Sequence, residues 1–181
     1  MEQKLYNYEV ILNLLKKKNH LRQIAKDLKM NHMTIKRVLD LLIKENVLDI
    51  EKEGRNNVYS LKKTLEAQNH VFMAEYYILN RFLKKHPELK QCIKELKKLP
   101  VKLILIFGSY AKGTETNKSD IDVYIETKSN KIKEESLKLN NNFSVKIGVY
   151  EKENLLIKEI EKYHIIIKGT EHFYEKNKFF D

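Results

Sequence analysis

Apolar residues recur at helical spacing along the first part of the chain. Leu5, Tyr8, Ile11, Leu12 and Leu15 share one face of a helix over 4–18, and Leu21, Ile24, Ala25 and Leu28 one face of a helix over 21–28. Asn31 is a good N-cap for a third helix, in which Ile35, Val38, Leu39 and Leu42 form a buried stripe. Asn46 stops that helix. Val47–Ile50 and Val58–Leu61 then read as paired strands around a polar tip, 51–57, that contains Gly54. Residues 64–84 form a helix that is apolar around much of its circumference. Pro87 opens another helix, through about Lys98, that stops at Pro100. From there the period changes. Leu103, Ile104, Leu105, Ile106 and Phe107 are an unbroken apolar run, as in a strand buried on both faces. Residues 119–125 and 143–150 alternate with a period of two, 131–141 and 152–162 read as helices, and 164–168 as a short strand. The tail from Thr170 carries Phe173, Tyr174, Phe179 and Phe180 but no assigned element. The pattern predicts an α/β (α+β) chain in three parts: 1–63, a helical connector over 64–99, and 100–181 with a small mixed sheet.

Composition narrows this. With 181 residues, 42% hydrophobic and 33% charged, the chain is globular and long enough for one or two modest cores. A single cysteine, Cys92, excludes a disulfide framework and a cysteine-based metal cluster. No apolar run approaches the length of a membrane span, and the first residues lack the apolar core of a signal peptide, so the expectation is a cytoplasmic protein with no membrane partner. The net charge of +10 is uneven: residues 1–100 hold 21 Lys and Arg against 12 Asp and Glu, residues 101–181 hold 14 against 13. The basic excess therefore lies in the first part, where it suits a phosphate backbone.

One stretch, 103–127, carries the chemistry. Gly108-Ser109 end the apolar strand, and Ser119-Asp120-Ile121-Asp122-Val123 begin the next. The strand period puts Asp120 and Asp122 on one side of the sheet and Ile121, Val123 and Ile125 on the other. Two adjacent carboxylates repel and are costly to desolvate, and a cation removes both penalties, most simply Mg²⁺ completed by nucleotide phosphates. Gly108 lets backbone approach a phosphate closely, and Ser109 adds a hydroxyl. A polar hairpin capped by Ser119 and Asp120 is the structural alternative. Cys92 and the six histidines, scattered without metal-ligand spacing, read as structural or surface residues.

The arrangement GS-x10-D-x-D, in GSYAKGTETNKSDIDVYIE, resembles the signature of the DNA polymerase β-like nucleotidyltransferase superfamily, and in particular its minimal stand-alone members. That resemblance implies transfer of a nucleoside monophosphate from ATP or another NTP to an acceptor hydroxyl. Gly108 and Ser109 would hold the triphosphate, and Asp120 and Asp122 would be catalytic and bind Mg²⁺ (or Mn²⁺). Lys112 would add a charge to a phosphate, or is a solvated surface lysine. In minimal members the acceptor is often a partner protein, commonly a HEPN-type protein in a toxin–antitoxin pair. Active members usually carry a third carboxylate on the next strand, within an apolar-acid-apolar triplet. Here that triplet reads Val145-Lys146-Ile147, so Lys146 is expected where the acid would be, close enough to pair with Asp120 or Asp122. Glu126 shares their parity but lies too far along the strand to replace it.

The segment IAKDLKMNHMTIKRVLDLLIKENVLDIEKEGRNNVYSL resembles a winged helix-turn-helix domain. By that resemblance the third helix would enter a DNA major groove with His32, Thr34, Lys36 and Arg37, and Arg55, Asn56 and Asn57 would form the wing tip. Winged helices also mediate protein contacts, and the aromatic connector with Phe72, Tyr76, Tyr77 and Phe82 suits either a homodimer or an internal core. Two functional classes follow: a nucleotidyltransferase, or a DNA-binding transcriptional regulator whose nucleotidyltransferase-like domain binds nucleotide without turning it over.

Overall fold

The computed structural model describes the backbone of residues 2–181 and the side chains from Leu5 onward; Met1 lies outside the described residues. The chain divides into two compact units, one of residues 1–77 with 180–181, the other of residues 78–179.

In the first unit, α1 (Glu2–Lys16), α2 (Leu21–Leu28) and α3 (His32–Lys44) pack on one another through Val10, Ile11, Leu14, Ile24, Ile35, Val38 and Leu39, all buried. The stripes expected for α2 and α3 are the faces that meet. By contrast, α1 buries Val10, Ile11 and Leu14, leaves Leu5 43% exposed and keeps Tyr8, Leu12 and Leu15 only half-buried, so of its expected stripe Ile11 alone is in the core. His20 caps α2, its Nδ1 accepting from the Gln23 N–H at 3.1 Å, and Asn31 caps α3, its Oδ1 accepting from the Met33 N–H at 2.7 Å. A three-stranded antiparallel sheet follows in the order β1-β3-β2, built from β1 (Asn19–His20), β2 (Leu48–Glu53) and β3 (Asn56–Leu61). The two-residue β1 was not expected. The hairpin is tighter than the sequence suggests: the ladder runs to Glu53↔Asn56, leaving only Gly54 and Arg55 in the turn, with Gly54 at φ +61°. Asn56 and Asn57 therefore stand on a strand, not in a loop.

The division between the units falls within α4 (Leu65–Lys85). Residues 64–99 are accordingly not a layer of their own. Leu79 and Phe82 of α4, Leu89 of a 3₁₀ turn (Pro87–Leu89) and Ile93 and Leu96 of α5 (Lys90–Lys98) are buried in the core of the second unit.

That core lies on one face of a four-stranded mixed sheet in the order β6-β5-β4-β7, comprising β4 (Ile104–Phe107), β5 (Ile121–Glu126), β6 (Phe143–Gly148) and β7 (Ile165–Lys168). Between the strands run α6 (Gly108–Lys112), α7 (Asn130–Leu137) and α8 (Leu155–Lys162). β4 pairs antiparallel with both β5 and β7, whereas β5 and β6 are parallel, joined by the crossover through α7. Ile104, Ile106, Ile121, Val123, Ile125, Phe143 and Val145 supply the sheet side of the core. Residues of the other parity, Leu105, Tyr124 and Ile166, are buried as well. So are Ile157 and Ile160 of α8 and Phe173 and Tyr174 of α9 (Thr170–Asn177), a helix that the tail's sequence did not announce. Gly169 makes the turn into α9: at φ +88° it lies so close to the Lys102 carbonyl that a Cβ would stand 2.1 Å from the oxygen. Among the described residues no helix is long and apolar enough to cross a membrane.

Candidate active site

Register brings the predicted residues together. β4 ends with Phe107 opposite Asp122 of β5, and the chain turns at once into α6. The turn needs a left-handed residue, which Gly108 supplies at φ +68°. It also needs the absence of a side chain, because a Cβ on Gly108 would lie 2.3 Å from Asp122 Oδ2. Ser109, half-buried, follows, and its carbonyl accepts the Gly113 and Thr114 N–H groups that close α6. Asp122 is half-buried and Asp120 exposed, one residue ahead of β5. The loop before Asp120 is locked by Ser119: its Oγ accepts from the Thr116 N–H at 2.9 Å, and its own N–H donates to the Thr116 carbonyl at 3.0 Å.

That loop is anchored further back by Glu115, 9% exposed. Its Oε1 is bonded to Lys85 Nζ and stands 3.3 Å from His86 Nε2. The hydrogen bond from Lys85, with the charges of Lys85 and His86, holds the Glu115 carboxyl below the usual carboxylate range. His86 is in turn stacked against Phe82 and Tyr110, at centroid distances of 4.8 and 5.2 Å. Neither Glu115 nor His86 was singled out from the sequence. Their signal is long-range, an acid in a loop meeting the end of a helix 30 residues earlier, and no local pattern carries it.

Lys112 ends α6. Its Nζ pairs with Glu159 of α8 at 2.8 Å, and this hydrogen bond, with Asp122's charge among the lesser causes, raises the affinity of the ammonium for its proton.

The position of Lys146 departs from expectation. In the parallel register Asp122 pairs with Ser144, and Lys146 with Tyr124, one step further along. Lys146 is exposed, and among the described residues no ion pair joins it to either aspartate. The strand face that continues that of Asp122 carries Ser144, Lys146 and Gly148, so none of its three positions is acidic. Glu126 is committed elsewhere: its Oε2 is 2.6 Å from His172 Nε2 of α9, and its Oε1 3.8 Å from Lys176 Nζ. Between Asp122 and Glu126, the Tyr124 hydroxyl is buried without a hydrogen-bond partner among the described residues, and desolvation first, then the charges of Glu126 and Glu151, push its pKa up.

Among the described residues no group of three or more His, Cys, Asp or Glu is placed to hold a metal ion. Asp122, set against the Gly108 turn, and Asp120, two residues earlier, have the donor chemistry for one hard divalent cation whose remaining ligands would come from nucleotide and water. They do not complete a second ion's site.

In the first unit His32, Lys36 and Arg37 lie exposed on α3, Thr34 is half-buried beside them, and Arg55, Asn56 and Asn57 are exposed at the hairpin end.

The second unit thus presents a mixed sheet in which the Gly108 turn meets the strand that carries Asp122, with Asp120 just ahead of it. The family model described as "Nucleotidyltransferase domain" matches residues 87–177, and the chain belongs to that family. The match includes α5, in keeping with that helix's place in the core. A Methanocaldococcus jannaschii protein named "Putative protein adenylyltransferase MJ1547" is 42% identical over 82 residues, an alignment covering 41% of this chain and 66% of that protein. The chain thus spans just under two thirds of the length of that relative. No solved structure matches.

Proposed function

We propose that the protein transfers a nucleoside monophosphate, an adenylyl group from ATP in the first instance, to a hydroxyl on a partner protein. The observation that carries this reading is the close approach of the Gly108 turn to the Asp122 carboxylate within a nucleotidyltransferase domain, which puts a strand-end glycine-serine turn and an acid side by side. The relative's name supports the adenylyl group and the protein acceptor. In the transfer an acceptor oxygen forms a bond to the α-phosphorus as the bond to the bridging oxygen of pyrophosphate breaks, and the hydroxyl proton leaves to solvent. Asp120 and Asp122 would hold Mg²⁺ (or Mn²⁺), which offsets the charge of the phosphates as the leaving group departs. Ser109 and the Gly108 backbone would fix the triphosphate, Ser119 holds the loop that aims Asp120, and Lys112 supplies a positive charge close to Asp122. A HEPN-type protein is the partner that the minimal-member resemblance favours.

The first unit supports a second activity within the same chain. Three packed helices, a tight hairpin and an exposed His32, Lys36 and Arg37 support a reading as a DNA-binding winged helix, in which Arg55 would stand at the tip of the wing. Two copies in a homodimer would read a palindromic site.

The absence of an acid from the Asp122 face of β6 favours the alternative in which nucleotide is bound without transfer and DNA binding is the output. One experiment separates the two. The full chain is incubated with ATP labelled at the α-phosphate, Mg²⁺ and a lysate from its source, beside the Asp120→Ala/Asp122→Ala protein. Label that enters protein with the wild type only establishes transfer. Calorimetric ATP binding that needs Mg²⁺ and both aspartates, with no label transferred, establishes the sensor. No binding under any condition sinks both readings of the second unit.

A further inference from the structure

His86 reaches both halves of the site from outside it. Its side chain, 12% exposed, lies between the end of α4 and the 3₁₀ turn. Its ring rests against Phe82 and against Tyr110, and Tyr110 directly follows Ser109 in α6. Each ring nitrogen faces an acid: Nε2 stands 3.3 Å from Glu115 Oε1, and Nδ1 3.4 Å from Glu88 Oε1. The titratable groups around it are Lys85 of α4, Glu88 of the 3₁₀ turn, Tyr110 of α6 and Glu115 of the loop. Lys85 pairs with Glu115 as well, but its side chain is 61% exposed, so His86 is the buried partner of that acid.

Packing against two aromatic rings would account for a histidine at this place. It does not account for a carboxylate at each nitrogen. Nε2 is buried, and its contact with Glu115 falls short of an aligned hydrogen bond, so a neutral ring offers that acid little. A charged ring attracts both acids at once, at a separation where the Coulomb attraction of buried groups is strong. Glu115 needs such a charge, since its Oε2 is buried with no hydrogen-bond partner among the described residues. Its place in the chain matters too. The Ser109 carbonyl holds the Gly113 and Thr114 N–H groups just before Glu115, and Ser119 holds Thr116 just after it, next to Asp120. One side chain thus grips α6 through Tyr110 and the loop through Glu115.

We propose that His86 is a positioning residue whose charged form clamps the loop 113–119 against α6, so that Asp120 keeps its place for nucleotide, and whose clamp loosens when the ring loses its proton. The nucleotide in this statement rests on the transferase reading, whereas the clamp is measurable without any ligand. A histidine side chain changes charge between about pH 5 and pH 8, so loop protection and nucleotide affinity should both fall as pH rises through that range.

Two measurements on the full chain test it, at about pH 6 and about pH 8: amide-exchange protection factors of residues 113–119 without ligand, and calorimetric binding of ATP with Mg²⁺. Wild type is compared with His86→Phe, which keeps the ring and loses the charge, and with Glu115→Gln, which keeps His86 and removes the acid it grips. Wild type should lose protection of the loop, and roughly tenfold in ATP affinity, between the lower and the higher pH. Both variants should already be weakened at the lower pH and change little further, a comparison in which the ionisation of ATP itself cancels. The same pH response in wild type and both variants would overturn the proposal and leave His86 as a packing residue. Loop protection that follows the His86 charge while ATP affinity does not would overturn it as well, because Asp120 would not depend on the clamp. If the loop responds as expected and ATP binds no form of the protein, the clamp stands and the transferase reading falls.

Discussion

Gly108 and Asp122 occupy adjoining space: the position a Cβ of residue 108 would take is 2.3 Å from Asp122 Oδ2 and 3.2 Å from its carboxyl carbon. The glycine is thus needed twice, for its φ of +68° and for the carboxylate it makes room for. Gly108→Ala should cost about 1–3 kcal/mol of stability, the usual cost of a left-handed non-glycine. Its larger effect should fall on function. Displacing Asp122 by about an ångström should reduce Mg²⁺-dependent nucleotide binding or turnover by roughly a hundredfold. Denaturant melts alongside calorimetry separate the two effects. A variant that loses stability but binds nucleotide as well as wild type would show that Asp122 does not need its present place.

The β6 register makes a sharper prediction about the missing acid. Ser144 stands beside Asp122, and Lys146 beside Tyr124. Ser144→Asp should therefore place a third carboxylate next to Asp122 and tighten Mg²⁺-dependent ATP binding about tenfold, with any transferase activity rising alongside. Lys146→Glu should do neither, since residue 146 is exposed and one register step away. Isothermal titration of both variants against wild type decides it; a gain with Lys146→Glu and none with Ser144→Asp would mean that β6 slides by two residues in solution.

How far these details were legible in the sequence follows from the range of the forces involved. Gly108, Ser109, Asp120 and Asp122 fall within fifteen consecutive residues, and strand parity alone puts the two aspartates on one side. The apolar stripes of α2 and α3 were equally plain, because helical packing repeats locally; α1, apolar on more than one side, buries Val10 and Leu14 with Ile11 where Leu5, Tyr8, Leu12 and Leu15 were expected. Register between parallel strands is another matter. It is set by the α7 crossover and the packing of Ile132 and Leu139 against the sheet, so the triplet Val145-Lys146-Ile147 looked like the acid's place when Ser144 is the residue opposite Asp122. Helix α9 was missed because Thr170–Asn177 has weak amphipathicity; it is held by Phe173, whose ring meets Tyr150, His164 and Tyr174.

Glu115 ties the loop that carries Asp120 to Lys85 and His86, and this tie should respond to pH. Its partners hold the folded-state pKa of Glu115 below the unfolded value. The stabilisation is therefore fully present above the unfolded carboxylate value of about 4.3 and is lost as pH falls through the lowered one. Glu115→Gln should cost about 1 kcal/mol at neutral pH, the scale of a charged hydrogen bond that is partly screened. The gap to wild type should close in acid. Urea melts at neutral pH and at about pH 3 measure both ends. A gap of the same size at both would mean that Glu115 acts through its shape and not its charge.

The exposed cations of α3 give the last prediction. His32, Lys36 and Arg37 project from a helix whose other side is buried, and Asn31 caps it so that its first turn is rigid. If this face lies in a DNA major groove, most of its affinity comes from phosphates and falls steeply with salt. Lys36→Ala/Arg37→Ala should then weaken binding to duplex DNA and lower the slope of log K against log salt by about two, one for each phosphate contact removed. Stability should barely change, since neither side chain is buried. Fluorescence anisotropy with a labelled duplex over a salt series reads the slope directly. An unchanged slope with weaker binding would assign these residues to base contacts; an unchanged affinity would remove α3 from the DNA interface and leave that face for protein partners.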